Sequence, residues 1–375
     1  NMMKKIYYIT AVFATLFLVG CGDGIDLPGV NVETDLNKIP LPDNNVNLEQ
    51  VELKPSTEPM LHEGLHTEED FQRIRDKKAA GEEPWVSAYQ LLVESQFSQK
   101  TADTYPTEWI KRGISGDENY MNAARGATIV YQQALRWKIE QDDEYAAKAV
   151  ENLNKWVQTC VGVTGNTNLS LAAGLYGYEF AIAGELLRDY GGWDRADFAA
   201  FQNWLLKVFY PANDDFLKRH HDTNALHYWA NWCLCNIAAK MAIGIVTDRR
   251  DIYNEGIDHL QTGDTNGRLR RAIYHDYAPD YNFAQWQESG RDQGHTLMCV
   301  GLMGIICQLA WSQGDDFFAY DDNLFLRACE YAACCNYTNE TVPYTTYIWQ
   351  KQSQWGYPIP EEQTTLGGGK WIKRA

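Results

Sequence analysis

The chain contains fewer basic than acidic residues. Lys and Arg number 33 against 50 Asp and Glu, which gives a formal net charge of −17 at pH 7. Nucleic-acid binding needs a basic surface, so this shortage argues against a nucleic-acid partner. The chain also lacks a phosphate-binding glycine loop, and no stretch alternates apolar and polar residues for long. We therefore expect no cofactor and no extended β-sheet.

Cysteine signatures of metal binding or redox activity are absent as well. Of the nine cysteines, eight follow Cys21, nearly all in apolar patterns typical of helices. Neither their spacings nor their neighbours match a zinc site or a thioredoxin motif. We interpret them as buried free thiols and predict no metal site. They are Cys160, Cys233, Cys235, Cys299, Cys307, Cys329, Cys334 and Cys335.

The first 21 residues have the features of a bacterial export signal. Two lysines precede a short apolar run, and residues 18–21 match a lipobox that ends at Cys21. Lipidation of Cys21 after cleavage is the favoured interpretation, and a retained transmembrane segment is the alternative. Residues 22–66 are rich in Pro, Asp, Asn and Glu, which predicts a flexible tether. We expect a membrane-anchored lipoprotein, periplasmic or on the cell surface, whose only membrane contact is the lipid.

From Thr67 onward the apolar residues recur with helical periodicity. Residues 67–70 form an N-terminal capping signal, and Gly, Pro and Asp-rich turns separate the later helical runs. We predict one all-α domain over residues 67–375, built from stacked helical hairpins. The main predicted helices are 117–141, 143–161, 168–190, 194–208, 223–247, 250–261, 286–313 and 321–337.

A polar and aromatic stretch, residues 220–232, leads into an apolar helical pattern. We expect Asp222 or Thr223 to cap this helix, which places four hydrogen-bonding side chains on one helical face. These four are Asn224, His227, Tyr228 and Asn231. Such a face is suited to binding and catalysis. The structural alternative is that His227 and Asn231 bond only to each other beneath a tryptophan.

A second polar segment, residues 274–295, also precedes an apolar helix. Its first part is a loop rich in tyrosine and aspartate. In its second part Glu288, Arg291 and His295 share a predicted helical face, at the mouth of a helix that we expect to be buried. Charges in such a position are costly unless they are paired or used in function. A structural ion pair between Glu288 and Arg291 is the alternative.

The two segments together resemble the alginate lyase family, which belongs to the chondroitin AC/alginate lyase superfamily. The resemblance lies in the Asn-x-x-His-Tyr-Trp-Ala-x-Trp helix start and the later Glu-Ser-Gly-Arg-Asp-Gln-Gly-His segment, with weaker matches at 123–125 and 171–175. It covers about residues 67–340. It implies an (α/α) toroid or incomplete barrel of about five to seven helical hairpins, and we expect a monomer.

Such enzymes cleave uronates by β-elimination at C5 and O4, using an Asn and a His from the first segment and an Arg and a Tyr from the second. The resemblance assigns Asn224 or Asn231 and His227 to the first pair, and Arg291 to the arginine. It therefore implies a lyase whose partner is an anionic polysaccharide, either alginate or a glucuronan-like polyuronate. This scheme requires no cofactor.

The tyrosine position of the family, on the helix just after the arginine, is a departure. This sequence has His295 and then apolar residues there. The base is then His295 or a tyrosine from elsewhere, and we favour Tyr281, followed by Tyr277 and Tyr228. A nearby cation would bring the phenol toward its working range. The residues expected to contact the sugar are Glu288, Tyr228, Trp229, Gln293 and Tyr277.

Two other functions remain open at this point. A helical toroid can carry a glycoside hydrolase that uses paired carboxylic acids. The aromatic content of 13% would also suit a glycan-binding lipoprotein without catalytic activity. The acids available for hydrolysis are Asp214, Asp215, Asp222, Asp280, Glu288 and Asp292.

Overall fold

The computed structural model describes residues 57–337 and 342–347, and α-helices account for most of them. The predicted all-α fold class is confirmed. In chain order the helices are α1 (Glu68–Ala79), α2 (Trp85–Glu94), α3 (Tyr120–Glu140), α4 (Asp143–Thr159), α5 (Leu169–Leu186), α6 (Arg195–Val208), α7 (Tyr210–Arg219), α8 (Ala230–Val246), α9 (Arg250–Thr262), α10 (Leu269–Ala272), α11 (Gln293–Ser312) and α12 (Tyr320–Tyr337). Short 3₁₀ turns lie at Gln96–Ser98 and His220–Asp222.

Helices α3, α5, α8 and α11 form the inner layer of the fold. Nearly every residue of α5 and α8 is buried, and α5 packs against both α3 and α8 while α8 also packs against α11. The helices between them are amphipathic: α4, for example, buries one stripe that runs from Tyr145 to Trp156. Inner and outer helices therefore alternate along the chain, as in an incomplete (α/α) toroid.

The segments that enter successive inner helices contact one another. The strand before α3 pairs with the strand before α5, and Ser170 in the first turn of α5 bonds to His221 before α8. Arg291 before α11 lies over Trp229 before α8. The N-termini of the inner helices consequently lie at one end of the toroid. Short strands occupy that end: β1 (Trp109–Arg112) precedes α3, β2 (Gly162–Gly165) precedes α5, and β3 (Ile273–Asp276) and β4 (Ala284–Trp286) precede α11. β1 pairs in parallel with β2, and β3 pairs antiparallel with β4. The sequence does not predict these strands, because three or four residues are too few to show alternation.

The end of the predicted tether packs against the helical body. Met60 and Leu65 are buried, and the Gln313 amide beside the C-terminus of α11 bonds to the backbone of this segment. The packed region therefore begins before Thr67. Residues 1–56, which include the predicted signal peptide, Cys21 and most of the tether, lie outside the described residues.

One helix, α7, occupies a stretch that the sequence marks as a break between helical runs. Pro211 lies in its first turn, where a proline is tolerated because that amide has no helical partner. The polar residues that follow hide the helical periodicity. The helix nevertheless forms, and it buries Phe216 and Leu217 against the core.

The buried interior agrees with two predictions. Helix α11 is long and apolar enough to cross a membrane by composition alone, but 67% of its apolar window is buried inside the protein, as the sequence predicts for a core helix. The eight cysteines after Cys21 are free thiols, and all are buried except the half-buried Cys329.

Candidate active site

The loop before α8 holds the first polar segment in a non-helical conformation. Residues 220–222 have left-handed φ angles. The Asn224 side chain accepts a hydrogen bond from a backbone amide two residues on, which closes a turn. Helix α8 begins only at Ala230. The predicted capping by Asp222 or Thr223 is therefore wrong, and the single helical face expected for this segment does not form.

The second polar segment also enters its helix later than predicted. Helix α11 begins at Gln293, because Asp292 caps it by accepting hydrogen bonds from two backbone amides. The preceding residues form a turn in which the Arg291 guanidinium donates to the Glu288 carboxylate. This ion pair is the one that the structural alternative expects. His295 lies on the helix and does not share a face with the pair.

The two polar segments meet at Trp229. The Arg291 guanidinium lies over the Trp229 ring, 4.9 Å from its centroid, and 39% of the Arg291 side chain is exposed. Nearby, the Asn231 amide nitrogen of α8 lies 3.8 Å from the Met298 sulfur of α11. The Asn231 Oδ1 atom is buried without a hydrogen-bond partner among the described residues. An anion that reaches this junction would meet an arginine seated on an aromatic face.

Glu288 holds Arg291 from the buried side of the junction. The Glu288 side chain is 1% exposed, and one carboxylate oxygen pairs with the guanidinium. The other oxygen, Oε2, is buried and accepts no hydrogen bond from the described residues. A buried carboxylate oxygen in this state is costly, so the charge of Glu288 depends on its pairing with Arg291.

Asn266 ties the two segments together. Its side chain is 1% exposed, and its amide nitrogen donates to the carbonyl oxygens of Tyr228 at 2.8 Å and Leu226 at 3.2 Å. Its oxygen accepts from the Gln287 amide at 2.9 Å. One buried amide therefore fixes the loop before α8 relative to the turn that carries Arg291.

Tyr228 lies among three histidines. Its ring centroid is 4.7 Å from that of His227, 5.8 Å from His221 and 6.1 Å from His220. Burial lowers the pKa of His220 to about 3 and also lowers the pKa of His221. A buried imidazole and a phenol in contact are groups that can accept and donate protons in turn, so His227 and Tyr228 form a candidate acid–base pair.

Tyr277 and Tyr281 lie on the hairpin between β3 and β4. The Tyr277 hydroxyl donates to Gln285 Oε1 at 2.6 Å, so the protein itself occupies this phenol. Tyr281, the tyrosine favoured as base from the sequence, lies toward the tip of the hairpin with 52% of its surface exposed, and its ring contacts Tyr277. The described contacts thus bring Tyr228, rather than Tyr281, against His227.

Other predicted site residues have protein partners for their polar atoms. The Gln293 amide donates to a backbone carbonyl and accepts from Asn336. His295 Nδ1 lies 2.7 Å from Asp292 Oδ2. Although burial raises the pKa of Asp292, the hydrogen bond and charge of His295 outweigh it and lower the pKa to about 2. Gln293 and Asn224 therefore have structural hydrogen bonds within the protein, and their predicted roles toward the substrate stay predictions.

Three of the carboxylates considered for glycoside hydrolysis are engaged in ion pairs with lysine or arginine. Asp214 pairs with Lys240, and Asp215 and Asp222 both pair with Arg219. Despite partial burial, hydrogen bonds from lysines lower the pKa of Asp214, and Arg219 lowers the pKa of Asp215. A hydrolytic general acid needs a raised pKa. The electrostatics at these positions therefore do not favour hydrolysis.

Sequence reasoning overlooked several residues that build the site. Gln285 and Gln287 flank a buried tryptophan of β4, and both are buried. Their only sequence hint is that they stand on either side of an aromatic residue, and three residues are too few for this alternation to predict a strand. Asn266 and Tyr347 carry no such signal, because only the tertiary fold brings them to the site. Tyr347 is buried against Trp229, with ring centroids 5.7 Å apart.

Comparisons with known proteins give a consistent result. A family model described as alginate lyase matches residues 75–340. Among solved structures, the chain is similar to a histidine-to-alanine variant of alginate lyase A1-III complexed with tetrasaccharide, at 14% identity over 76% of this chain and 82% of that chain, with a TM-score of 0.57. It is also similar to alginate lyase A1-III from Sphingomonas species A1, at 12% identity over 82% and 94% of the two chains and a TM-score of 0.52.

A third similar structure is an alginate lyase from Bacteroides ovatus. The identity is 14% over 82% of this chain and 88% of that chain, and the TM-score is 0.52. At these identities the structural likeness shows the fold. A comparison with curated protein sequences gives no match.

Proposed function

Since the chain belongs to the alginate lyase family and is a polysaccharide lyase, we propose that it cleaves a polyuronate, either alginate or a glucuronan-like chain, by β-elimination. The observation that carries this proposal is the junction at Trp229. There Arg291 from one polar segment is seated on the residue that follows His227 and Tyr228 in the other. Arg291, which can bind a carboxylate, and the candidate acid–base pair His227 and Tyr228 therefore both border Trp229.

Arg291 is assigned to the substrate carboxylate. Removal of the C5 proton of a uronate moves negative charge into the adjacent carboxylate, and this charge must be neutralised in the transition state. The exposed, planar guanidinium can donate two charge-assisted hydrogen bonds to it. Glu288 and Trp229 hold the guanidinium in place from two sides, and the Asn231 amide is the neutral donor of the same site.

The proton transfers are assigned to His227 and Tyr228. One of them accepts the C5 proton, and the electron pair of the C5–H bond forms the C4–C5 double bond. The C4–O4 bond breaks, and the leaving oxygen receives a proton from the other group. Two separate groups suit a sugar whose C5 hydrogen and O4 lie on opposite faces. Tyr281 remains the alternative base.

The test is an assay of the purified full chain on mannuronate-rich alginate, guluronate-rich alginate and glucuronan. Elimination leaves a conjugated double bond that absorbs in the ultraviolet, whereas hydrolysis leaves only a new reducing end. We expect the ultraviolet signal with at least one of the three polymers. New reducing ends without ultraviolet absorbance would refute the elimination mechanism.

Tyrosine variants test the assignment of the proton transfers. Tyr228→Phe removes one oxygen, and we expect kcat to fall by at least about 10²-fold with little change in KM. Tyr281→Phe should retain most activity. The matched control is Tyr253→Phe, because Tyr253 is also buried and donates to Asp315, away from both polar segments. If Tyr281→Phe loses the activity and Tyr228→Phe keeps it, the role belongs to Tyr281.

A further inference from the structure

Four arginines are buried among the described residues, and one of them differs from the others. Arg112 is 6% exposed and lies within ion-pair distance of no carboxylate in the described chain, and its Nη1 atom is buried without a hydrogen-bond partner. The three that are ion-paired are Arg136 with Glu140, Arg188 with Glu185, and Arg327 with Asp276. A buried, unpaired charge is costly. In a chain with a net charge of −17, this exception points to an external anion.

The Arg112 guanidinium is positioned by an aromatic stack. It lies 4.6 Å from the centroid of the Tyr120 ring, and Tyr120 stacks on Tyr176 with centroids 6.5 Å apart and an interplanar angle of 13°. Arg136 has the same exposure and a similar seat on Tyr145, at 4.5 Å. The difference is the carboxylate that Arg136 has and Arg112 lacks. The Tyr120 ring offers no oxygen or nitrogen acceptor of its own at its face, so the contact with it leaves Nη1 of Arg112 without a hydrogen-bond partner among the described residues.

Arg112 lies at the same end of the toroid as the candidate active site. It is the last residue of β1 and pairs with Gly165 of β2, where a Cβ atom would lie 1.7 Å from the Arg112 carbonyl oxygen. Glycine is therefore required for this close approach. The chain then enters α5, whose Ser170 hydroxyl lies 2.9 Å from His221 Nε2. His221 contacts Tyr228, so the loop that carries the acid–base pair lies close to the β1–β2 sheet.

We infer that Arg112, seated on Tyr120, binds the carboxylate of a second uronate, one that does not react, on the same polysaccharide. The reacting uronate meets Arg291 between α8 and α11, and this second subsite lies toward α3 and α5. The inference rests on the proposed function for the identity of the anion. A chain that carries one carboxylate on every sugar would complete the pairing that the protein leaves open at Arg112.

Kinetics with uronate oligosaccharides of increasing length test the subsite. For Arg112→Gln we expect KM to rise about 10- to 100-fold on long substrates, the range for loss of a charge-assisted hydrogen-bonded pair, with kcat nearly unchanged. The rise should be smaller on the shortest oligosaccharide that is cleaved. The KM of Arg112→Lys on long substrates should lie between that of the parent and that of Arg112→Gln. Arg136→Gln is the matched control and should leave KM unchanged. An unchanged KM on long substrates in Arg112→Gln would overturn the inference.

Thermal unfolding without ligand separates binding from a structural role. Arg112→Gln removes an unpaired buried charge and should be at least as stable as the parent protein, whereas Arg136→Gln leaves Glu140 without its cationic partner, with only the Tyr89 hydroxyl as a donor, and should be less stable. If Arg112→Gln is the less stable of the two, Arg112 is structural and the inference fails. In that case the KM of Arg112→Lys, which keeps the charge, should equal that of the parent on long substrates, because no carboxylate contact was lost.

Direct binding keeps this inference separate from the proposed function. Calorimetry compares a saturated uronate oligosaccharide with the same oligosaccharide after its carboxylates are reduced to alcohols. The parent protein should prefer the charged ligand, and Arg112→Gln should lose most of that preference. If the parent binds the uronate without forming an unsaturated product, the proposed reaction fails and the subsite stands. If Arg112→Gln retains the full preference, the subsite fails whatever the reaction.

Discussion

Asn266 is the residue whose loss should most clearly separate positioning from stability. Replacement by Ala removes three hydrogen bonds, two to the carbonyl oxygens of Tyr228 and Leu226 and one from Gln287. Gln287 retains a backbone acceptor at 2.7 Å, so two buried carbonyl groups lose this partner. At about 1 to 3 kcal/mol for each unsatisfied group, the free energy of unfolding should fall by about 2 to 6 kcal/mol.

The catalytic effect of Asn266→Ala should exceed what stability explains. Asn266 sets the loop that carries His227 and Tyr228 against the turn that carries Arg291. A displacement of about 1 Å between such groups costs on the order of 10²-fold in rate. We therefore expect kcat/KM, measured by ultraviolet absorbance of the product and corrected for the folded fraction, to fall by that order.

Asn152→Ala is the matched control for this prediction. Asn152 is 0% exposed and also makes three hydrogen bonds, to the loop at residues 102–104 and to Gln133. It contacts neither polar segment among the described residues, so its loss should lower stability by a similar amount and leave kcat/KM of the folded protein unchanged. Equal kcat/KM in the two variants would refute the idea that Asn266 positions the site.

Three further predictions concern pH and location. His66 bonds to the Tyr131 hydroxyl, and burial lowers the pKa of His66 to about 4. Between about pH 6.5 and 4 this imidazole is therefore protonated in the unfolded chain but not in the folded protein. The stability advantage of the parent over His66→Gln, measured by thermal unfolding, should shrink as pH falls through that range. Burial raises the pKa of Glu179 to about 8, so the folded state keeps a proton that the unfolded state releases. Glu179→Gln should therefore be as stable as the parent near pH 4 and become the more stable of the two as pH rises to about 8. Equal stability of the two proteins at all pH values would contradict this. We also propose that the lipid on Cys21 anchors the protein, so Cys21→Ser should release it from membranes, and retention after a carbonate wash would locate the anchor elsewhere.

The helical architecture is predictable from local patterns. The capping box at Thr67 and Asp70 forms as its sequence predicts, and the apolar run after Gln293 is the core helix that its composition indicates. Such features depend on side chains within one or two helical turns of each other, so the sequence contains the information. The exceptions are α7, whose polar first half hides its period, and strands that are too short to show one.

The sequence identifies many residues of the candidate site but does not predict how they are arranged. The chain itself marks the two polar segments and the Glu288–Arg291 pair, because each concentrates charge at the entrance to a buried helix. It does not reveal that Asn224 closes a turn and so delays α8 to Ala230. A local side-chain hydrogen bond competes with helix formation, and periodicity alone favours the helix.

Sequence by itself therefore determines the all-α class, the family resemblance and the identity of Arg291 and His227 as candidates. Tertiary structure alone decides which side chains meet. It places Tyr228 against His227 and Tyr281 on an exposed hairpin, it uses Asn266 to join segments that are far apart in the chain, and it leaves Arg112 as the buried arginine without a carboxylate in the described residues. The physical reason is that burial and pairing are properties of residues distant in sequence, which no local pattern encodes.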